Sequence, residues 1–375
     1  MSKNCNIFII AGESSGDLHG SFLMHSLKKI NPNIKFDGIG GGMMENQGLK
    51  SLFPIEKLSV MGFTEIIKHL PFFLSVKKKV MASVIRKEYK HIILIDYPGF
   101  NLNILPSLSK KTNADITYFI CPQIWAWKEG RINLLKKYVK NKIVIFPFEK
   151  NWYKERSLDV FFPGHPIIDE WEPVNKSNFL KKHNLTLKNP IITLYPGSRE
   201  QEFSKHFILF LNSVRIVKKK IMDIQVILGC AKTINLEPYE NLLPDWLKIE
   251  KEDPQSALEI ADNAIIASGT STLEAAVYGT PGVVVYRLSM LSWWLSKLFV
   301  KVRYAGMVNL IANEEIMPEF LQEKANPVNI SNEILSLIQN KEKYKRKLDK
   351  LNEVKTSLGN KGVFKRIASQ ILANN

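Results

Sequence analysis

Cysteine is scarce: Cys5, Cys121 and Cys230 lie far apart, with no C-x-x-C pair. That excludes a zinc ribbon and a disulfide framework and points to a reducing compartment. Long apolar runs are missing too. A spanning helix needs about 20 apolar residues, and the most apolar stretch, 290–302, is interrupted by Lys297 and Lys301. The apolar run at Ile7–Ala11 is too short for a secretory leader and passes straight into a Gly/Ser/Asp turn. A cytoplasmic protein is expected, with contact to a membrane surface left open. Acidic residues are in deficit, 36 against 52 Lys+Arg, for a net charge of +16. Such a surplus favours anionic partners: nucleic acid, anionic lipid or phosphorylated substrates. Several chemistries lack their motifs. There is no G-x-x-x-x-G-K-[ST], no H-E-x-x-H or H-x-H, and no D-x-D. P-loop phosphoryl transfer, a zinc site and a metal-clamped sugar nucleotide are therefore not expected. Gly38–Gly42 is glycine-rich without matching G-x-G-x-x-G, which weakens a dinucleotide reading. Lys and Arg are dispersed, and no nucleic-acid module is recognisable.

What is present is alternation. Short, β-branched apolar runs stand at 6–11, 91–95, 116–120, 142–146, 191–195, 225–229, 263–267 and 282–286. Uninterrupted runs of this kind suit parallel strands buried on both faces. Helical periodicity fills the gaps, as at 20–30 and 203–219. The pattern predicts a doubly wound α/β fold. It restarts after a polar, Pro-containing connector at 162–190 that holds a short helix near 178–183. Two Rossmann-like halves follow, 1–168 and 169–344, with a basic helical tail at 345–375. At 375 residues the chain exceeds one core, since cores stop growing beyond about 250–300 residues.

Chemistry-bearing residues gather at the ends of the apolar runs. The first run ends in Ala11-Gly12-Glu13-Ser14-Ser15-Gly16-Asp17. Small residues there allow a tight turn, and Ser15 or its neighbours can cap a helix whose N-terminus receives an anion or a sugar hydroxyl. Glu13 lies where ligands bind such sheets. The segment also fits G-x-S-x-G, with Ser14, Asp96 and His165 in hydrolase order. No strand precedes it to build an oxyanion hole, so that reading is set aside. Asp96, in Ile95-Asp96-Tyr97-Pro98-Gly99, ends another run and is either a general base or a turn cap. Trp125 and Trp127 follow a third run and form either a stacking wall or core packing. In the second half, Pro196-Gly197-Ser198-Arg199 offers turn N–H groups and a guanidinium for phosphate. Gly269-Thr270-Ser271-Thr272 opens a helix, with Glu274 one turn in. This is a diphosphate and ribose site or a capping box. Two apolar-basic segments, 60–79 and 293–303, suit either an anionic bilayer or a buried helix with a cationic rim.

With these motifs assembled, the chain resembles the lipid-A-disaccharide synthases, inverting GT-B glycosyltransferases. The matching blocks are AGESSGD, VMGFTEI, IDYPGFN, PQIWAWK, FPFEK, PGHP, YPGSREQE, ASGTSTLEAA and VVVYR, with Asn309 and the PEFLQ block that ends in Gln322. The resemblance implies two Rossmann-like domains facing across a cleft, with the C-terminal helix crossing back to the N-terminal domain. It implies that UDP-2,3-diacylglucosamine and 2,3-diacylglucosamine 1-phosphate give a β-1,6-linked disaccharide 1-phosphate and UDP. No metal or cofactor is implied. Peripheral association with the inner membrane is, and family members can form homodimers. The N-terminal domain would hold the acceptor, with Asp96 as base, Glu13 assisting or positioning, and Ser15 and Trp125 at the substrate. The C-terminal domain would hold UDP through Ser198, Arg199, Gly269, Thr270, Ser271, Thr272 and Glu274. Asn309 and Gln322 would contact the donor or shape the cleft. In this chain Gly99 replaces the family's usual second Asp, so Asp96 is the only carboxylate of its block. Tyr97 stands where a small residue is common, and Met307-Val308 replaces Leu-Pro before Asn309. Two other readings stay open: a GT-B enzyme acting on a soluble UDP-sugar, such as an epimerase, and a non-catalytic nucleotide-binding protein of the membrane surface.

Overall fold

The structure, a computed structural model, describes residues 6–59, 70–288 and 302–373. Cys5, the whole VMGFTEI block and the Trp293-Trp294 segment lie outside them. Two six-stranded parallel sheets organise the chain. The first contains β1 (Asn6–Ala11), β2 (Lys35–Ile39), β3 (Leu49–Ser51), β4 (His91–Ile95), β5 (Asp115–Phe119) and β6 (Asn141–Ile143) in the order β3-β2-β1-β4-β5-β6. The second contains β7 (Ile191–Tyr195), β8 (Gln225–Gly229), β9 (Leu247–Glu250), β10 (Asn263–Ala267), β11 (Gly282–Tyr286) and β12 (Glu319–Leu321) in the order β12-β11-β10-β7-β8-β9. Numbered from its own first strand, each sheet reads 3-2-1-4-5-6, the doubly wound nucleotide-binding order. Each therefore has a switch point beside its first strand, between β1 and β4 and between β7 and β10.

The central strands are those the apolar runs predicted. Ile7 to Ala11 and Ile92 to Ile95 are wholly withdrawn from water, because helices cover both faces. The core of the first unit gathers Phe8, Ile10, Leu94, Leu105 and Tyr118; that of the second gathers Leu194, Phe207, Leu228, Ile265 and Val283. β2, β3, β9 and β12 carry no strong apolar run. β2 includes Gly38, where a Cβ would fall 1.8 Å from the Ile9 carbonyl oxygen. Pairing with β1 demands glycine at that point, and glycine erases the hydrophobic signature.

The chain divides into two compact units. One runs to Glu170 and resumes at Leu358; the other is Trp171–Ser357. The tail, read from the sequence as one element from 345, therefore parts at 358. The helix Lys341–Ser357 stays with the second unit, burying Leu351 and Val354 and laying Lys355 over the Trp171 ring at 4.1 Å. The helix Val363–Leu372 packs on Ser14–Ile30 of the first unit, with Phe22 and Phe364 stacked at 5.2 Å. Asp169 fixes its start by accepting from the Gly362 and Phe364 N–H groups at 2.6 and 3.0 Å. A charged run gives a helix but not its partner; burial of Phe364 and Ile367 decides that.

Candidate active site

In the first unit, the loops after β1 and β4 meet at the switch point, where Ala11 pairs with Ile95. Glu13 is exposed and precedes the helix Ser14–Ile30, its carbonyl accepting from Asp17 N–H at 2.9 Å. Ser15 is exposed in the first turn. Asp17 is buried and accepts from the Gly41, Met43 and Met44 N–H groups. It ties this loop to the one after β2.

Asp96 follows β4 directly. It and Tyr97 are left-handed, with φ of 42° and 46°. Asp tolerates that region; a bulky Tyr does so only where its surroundings hold it. They do. Asp96 N–H donates to the Phe119 carbonyl at 2.9 Å, and the Asp96 carbonyl accepts from Asn101 Nδ2 at 2.8 Å and the Tyr118 hydroxyl at 2.7 Å. The Tyr97 ring covers Gly12, where a Cβ would lie 2.2 Å from the ring. The Asp96 carboxyl is thereby aimed while its backbone is pinned. Burial pushes it up to about 6; the Glu13 carboxylate adds to the rise and His19 opposes it. A carboxyl poised there accepts protons near neutral pH.

Trp125 is half-buried, and its indole N–H donates to Glu149 at 2.9 Å. Glu149 is buried at the start of the helix Pro147–Lys154 and also accepts from the Ile145 and Phe146 N–H groups. Burial pushes its carboxyl up to about 7. Trp125 meets Phe148 edge-on at 5.0 Å. His165 is buried with Nδ1 accepting from Ile167 N–H, and burial drives it down to about 3. It is a neutral packing group, which agrees with setting the hydrolase triad aside.

In the second unit, the loops after β7 and β10 meet at the other switch point. Ser198 and Arg199 are exposed. Arg199 opens the helix Glu200–Lys220, and its guanidinium lies 3.6 Å from Glu202 with its side chain 77% exposed, so it is available to a ligand. Gly269 and Thr270 are exposed, Ser271 half-buried. Thr272 is buried; its hydroxyl donates to the Gly269 carbonyl at 2.9 Å and accepts from Met307 N–H at 3.0 Å. It builds the loop. Glu274 is half-buried and receives Gln255 Nε2 at 3.3 Å.

Asn309 is buried, with every polar atom used. Its Nδ2 donates to the Met317 carbonyl at 2.6 Å and to Glu319 at 2.9 Å, and its Oδ1 accepts from Met317 N–H at 2.9 Å. Glu319 also receives the Ala305 and Gly306 N–H groups. Gln322 clamps Leu288 through both its N–H and its carbonyl, at 2.9 and 3.3 Å. Both residues therefore brace loops beyond β11.

Sequence reasoning missed His19, Glu149, His206 and Glu319. His206 is buried; its Nδ1 meets the Pro196 carbonyl at 3.2 Å and its Nε2 accepts from Arg287 N–H at 3.0 Å. It joins the Ser198 loop to the end of β11. His19 meets Glu170 and His206 meets Arg287 across long stretches of chain, whereas Glu149 and Glu319 stand inside the FPFEK and PEFLQ blocks, which do not by themselves say what these carboxylates hold.

A family model described as lipid-A-disaccharide synthetase matches residues 7–372. The lipid-A-disaccharide synthase of Coxiella burnetii (strain CbuK_Q154) is 33% identical over 370 residues, covering 98% of each chain. Among solved structures, the UDP-GlcNAc 2-epimerase of Neisseria meningitidis aligns with TM-score 0.66 at 12% identity, covering 98% of this chain and 100% of that one. The calicheamicin glycosyltransferase aligns with TM-score 0.62 at 11% identity, covering 99% and 98%. Two doubly wound parallel sheets with polar loops at each switch point define a chain of the GT-B fold. The match across nearly its whole length is more specific: the chain belongs to the lipid-A-disaccharide synthase family, glycosyltransferases of lipid A biosynthesis. Its substrates are accordingly lipid-linked sugars. Among the described residues, no helix is long and apolar enough to cross a membrane.

Proposed function

We propose that this chain transfers 2,3-diacylglucosamine from its UDP derivative to the 6-hydroxyl of 2,3-diacylglucosamine 1-phosphate. The products are the β-1,6-linked disaccharide 1-phosphate and UDP. The observation that carries the reading is Asp96: a half-buried carboxyl at a switch point, backbone-pinned and raised to about 6 beside Glu13. In this reaction the Asp96 carboxylate takes the acceptor's hydroxyl proton. The oxygen attacks the anomeric carbon from the face opposite UDP, and the bond from that carbon to the β-phosphate oxygen breaks with its electron pair leaving on UDP. Glu13 holds the acceptor sugar or supports the base, and Ser15 and Trp125 line its place. Arg199, Ser198 and the helix starts at Glu200 and Ser271 receive the diphosphate, whose growing charge is the main electrostatic demand. Glu274 accepts from the ribose hydroxyls. The enzyme works peripherally at the inner membrane. Its +16 charge and the helix Leu70–Arg86, with Leu74 58% exposed beside Lys78 and Lys79, support that placement.

The test mixes purified protein with both acylated substrates in detergent and EDTA, with mass spectrometry reading the disaccharide 1-phosphate. Wild type forms product, and Asp96→Asn loses roughly 10²–10⁴-fold in rate. Equal rates remove Asp96 from its role. No product despite UDP binding returns the weight to a soluble UDP-sugar enzyme or a non-catalytic binder.

A further inference from the structure

The loop that follows β5 leaves the sheet beside the Asp96 loop. Ile95 pairs with Phe119, and the Phe119 carbonyl holds Asp96 N–H at 2.9 Å. Of the eight left-handed non-glycine residues described, four lie in these two loops: Asp96, Tyr97, Ile120 and Lys128. Strained backbone of that kind gathers at functional sites. Trp127 stands near the far end of the second loop and is half-buried. Lys128 Nζ lies 4.5 Å and Arg131 Cζ 5.3 Å from the centre of its ring. Lys128 is exposed and Arg131 half-buried. Among the described residues, neither cation has a carboxylate within ion-pair distance, and Glu129, the acid between them in sequence, is drawn to Arg156 Nε at 2.6 Å. One indole therefore gathers two like charges that no acid offsets, an arrangement that an anion relieves. Lys128 also has φ of 56°, where glycine or asparagine would sit with less strain. Lysine at that point brings a charge that glycine would not.

We propose that Trp127, Lys128 and Arg131 form the site for the phosphomonoester of the acceptor sugar. The inference rests on the reaction proposed above, in which the acceptor carries a 1-phosphate and gives its 6-hydroxyl proton to Asp96. Those two groups are attached on either side of the ring oxygen. The phosphate therefore belongs to a loop beside the base, not to the base's own loop. Arg131 supplies a planar fork for two phosphate oxygens, and the indole keeps it in aim. Lys128 adds a point charge from the solvent side. The diphosphate of UDP is assigned above to loops of the second unit, so this pair answers to the other anion of the reaction.

The experiment measures kcat/KM for wild type, Arg131→Gln and Lys128→Gly with two acceptors, 2,3-diacylglucosamine 1-phosphate and phosphate-free 2,3-diacylglucosamine. Thermal melting checks folding. The ratio of the two values reads the phosphate alone. Arg131→Gln lowers that ratio about 10- to 100-fold, the worth of hydrogen bonding to a charged group. Lys128→Gly lowers it by a smaller step. It melts close to wild type, because relief of the left-handed backbone offsets the added freedom of glycine in the unfolded chain. An unchanged ratio, or equal losses on both acceptors, overturns the inference. An unchanged ratio with weaker sedimentation of Arg131→Gln on phosphatidylglycerol vesicles overturns it too and gives the cations to lipid headgroups. If wild type forms no disaccharide with either acceptor, the reaction proposed above fails, and NMR titration with glucosamine 1-phosphate decides the site by itself. Binding that Arg131→Gln removes keeps the site; no binding to wild type overturns it. If Arg131→Gln does not fold, Lys128→Gly decides by the same criterion.

Discussion

Gly12→Ala tests how the Asp96 loop is held. A Cβ built at Gly12 lies 2.2, 2.4 and 2.6 Å from Tyr97 Cδ1, Cγ and Cε1. Ordinary carbon contacts begin near 3.5 Å, so about 1 Å of overlap must be relieved. The atoms struck are in the body of the ring, close to the backbone, so a small swing of the side chain does not clear them. Tyr97 is also held in a left-handed backbone, with its hydroxyl 3.4 Å from the Leu58 carbonyl. The ring must leave, or the Asp96–Tyr97 backbone must shift. Overpacking of this kind costs about 1–3 kcal/mol. Urea unfolding of Gly12→Ala should show that loss, and condensation should slow because Asp96 is the next residue. In a Tyr97→Ala background these three closest contacts are gone, so the same substitution should cost less than it does beside the ring. The reasoning fails if Gly12→Ala is as destabilising without the Tyr97 ring as with it, or harmless in both backgrounds.

Two other outcomes follow from the same geometry. Asn309→Ala removes three hydrogen bonds and leaves the buried Met317 N–H and carbonyl unpaired. It should cost about 2–5 kcal/mol, read by thermal unfolding, and weaken UDP binding in calorimetry; full stability with lost turnover would instead make Asn309 a direct ligand. The pH profile follows from Asp96 at about 6. The base works only when ionised, so kcat/KM should be level above that pH and fall close to tenfold per unit below it. A limb near pH 4, the usual carboxylate range, would remove the burial argument.

The sequence by itself determined the repeating α/β plan. Runs such as Asn6–Ala11 and Gly282–Tyr286 are apolar enough to be central strands wherever they pack, and the restart after the connector marks two halves. It also put the candidates Asp96, Glu13, Arg199 and the Gly269–Thr272 turn just after strands, which is where ligand loops of a parallel sheet lie. Tertiary structure decided what those residues touch. Thr272 and Asn309 have the composition of ligand contacts, yet both are buried and spent on bracing loops. His19 and Glu170 stand 151 positions apart and meet only because the folded first unit brings the start of one helix beside the first part of the connector. The edge strands were hidden for a related reason. Short, partly exposed strands such as Glu319–Leu321 draw their stability from hydrogen bonds to a neighbour rather than from their own hydrophobicity. A local pattern records the burial of a residue, but pairing, bracing and charge placement depend on groups that the chain brings together only on folding.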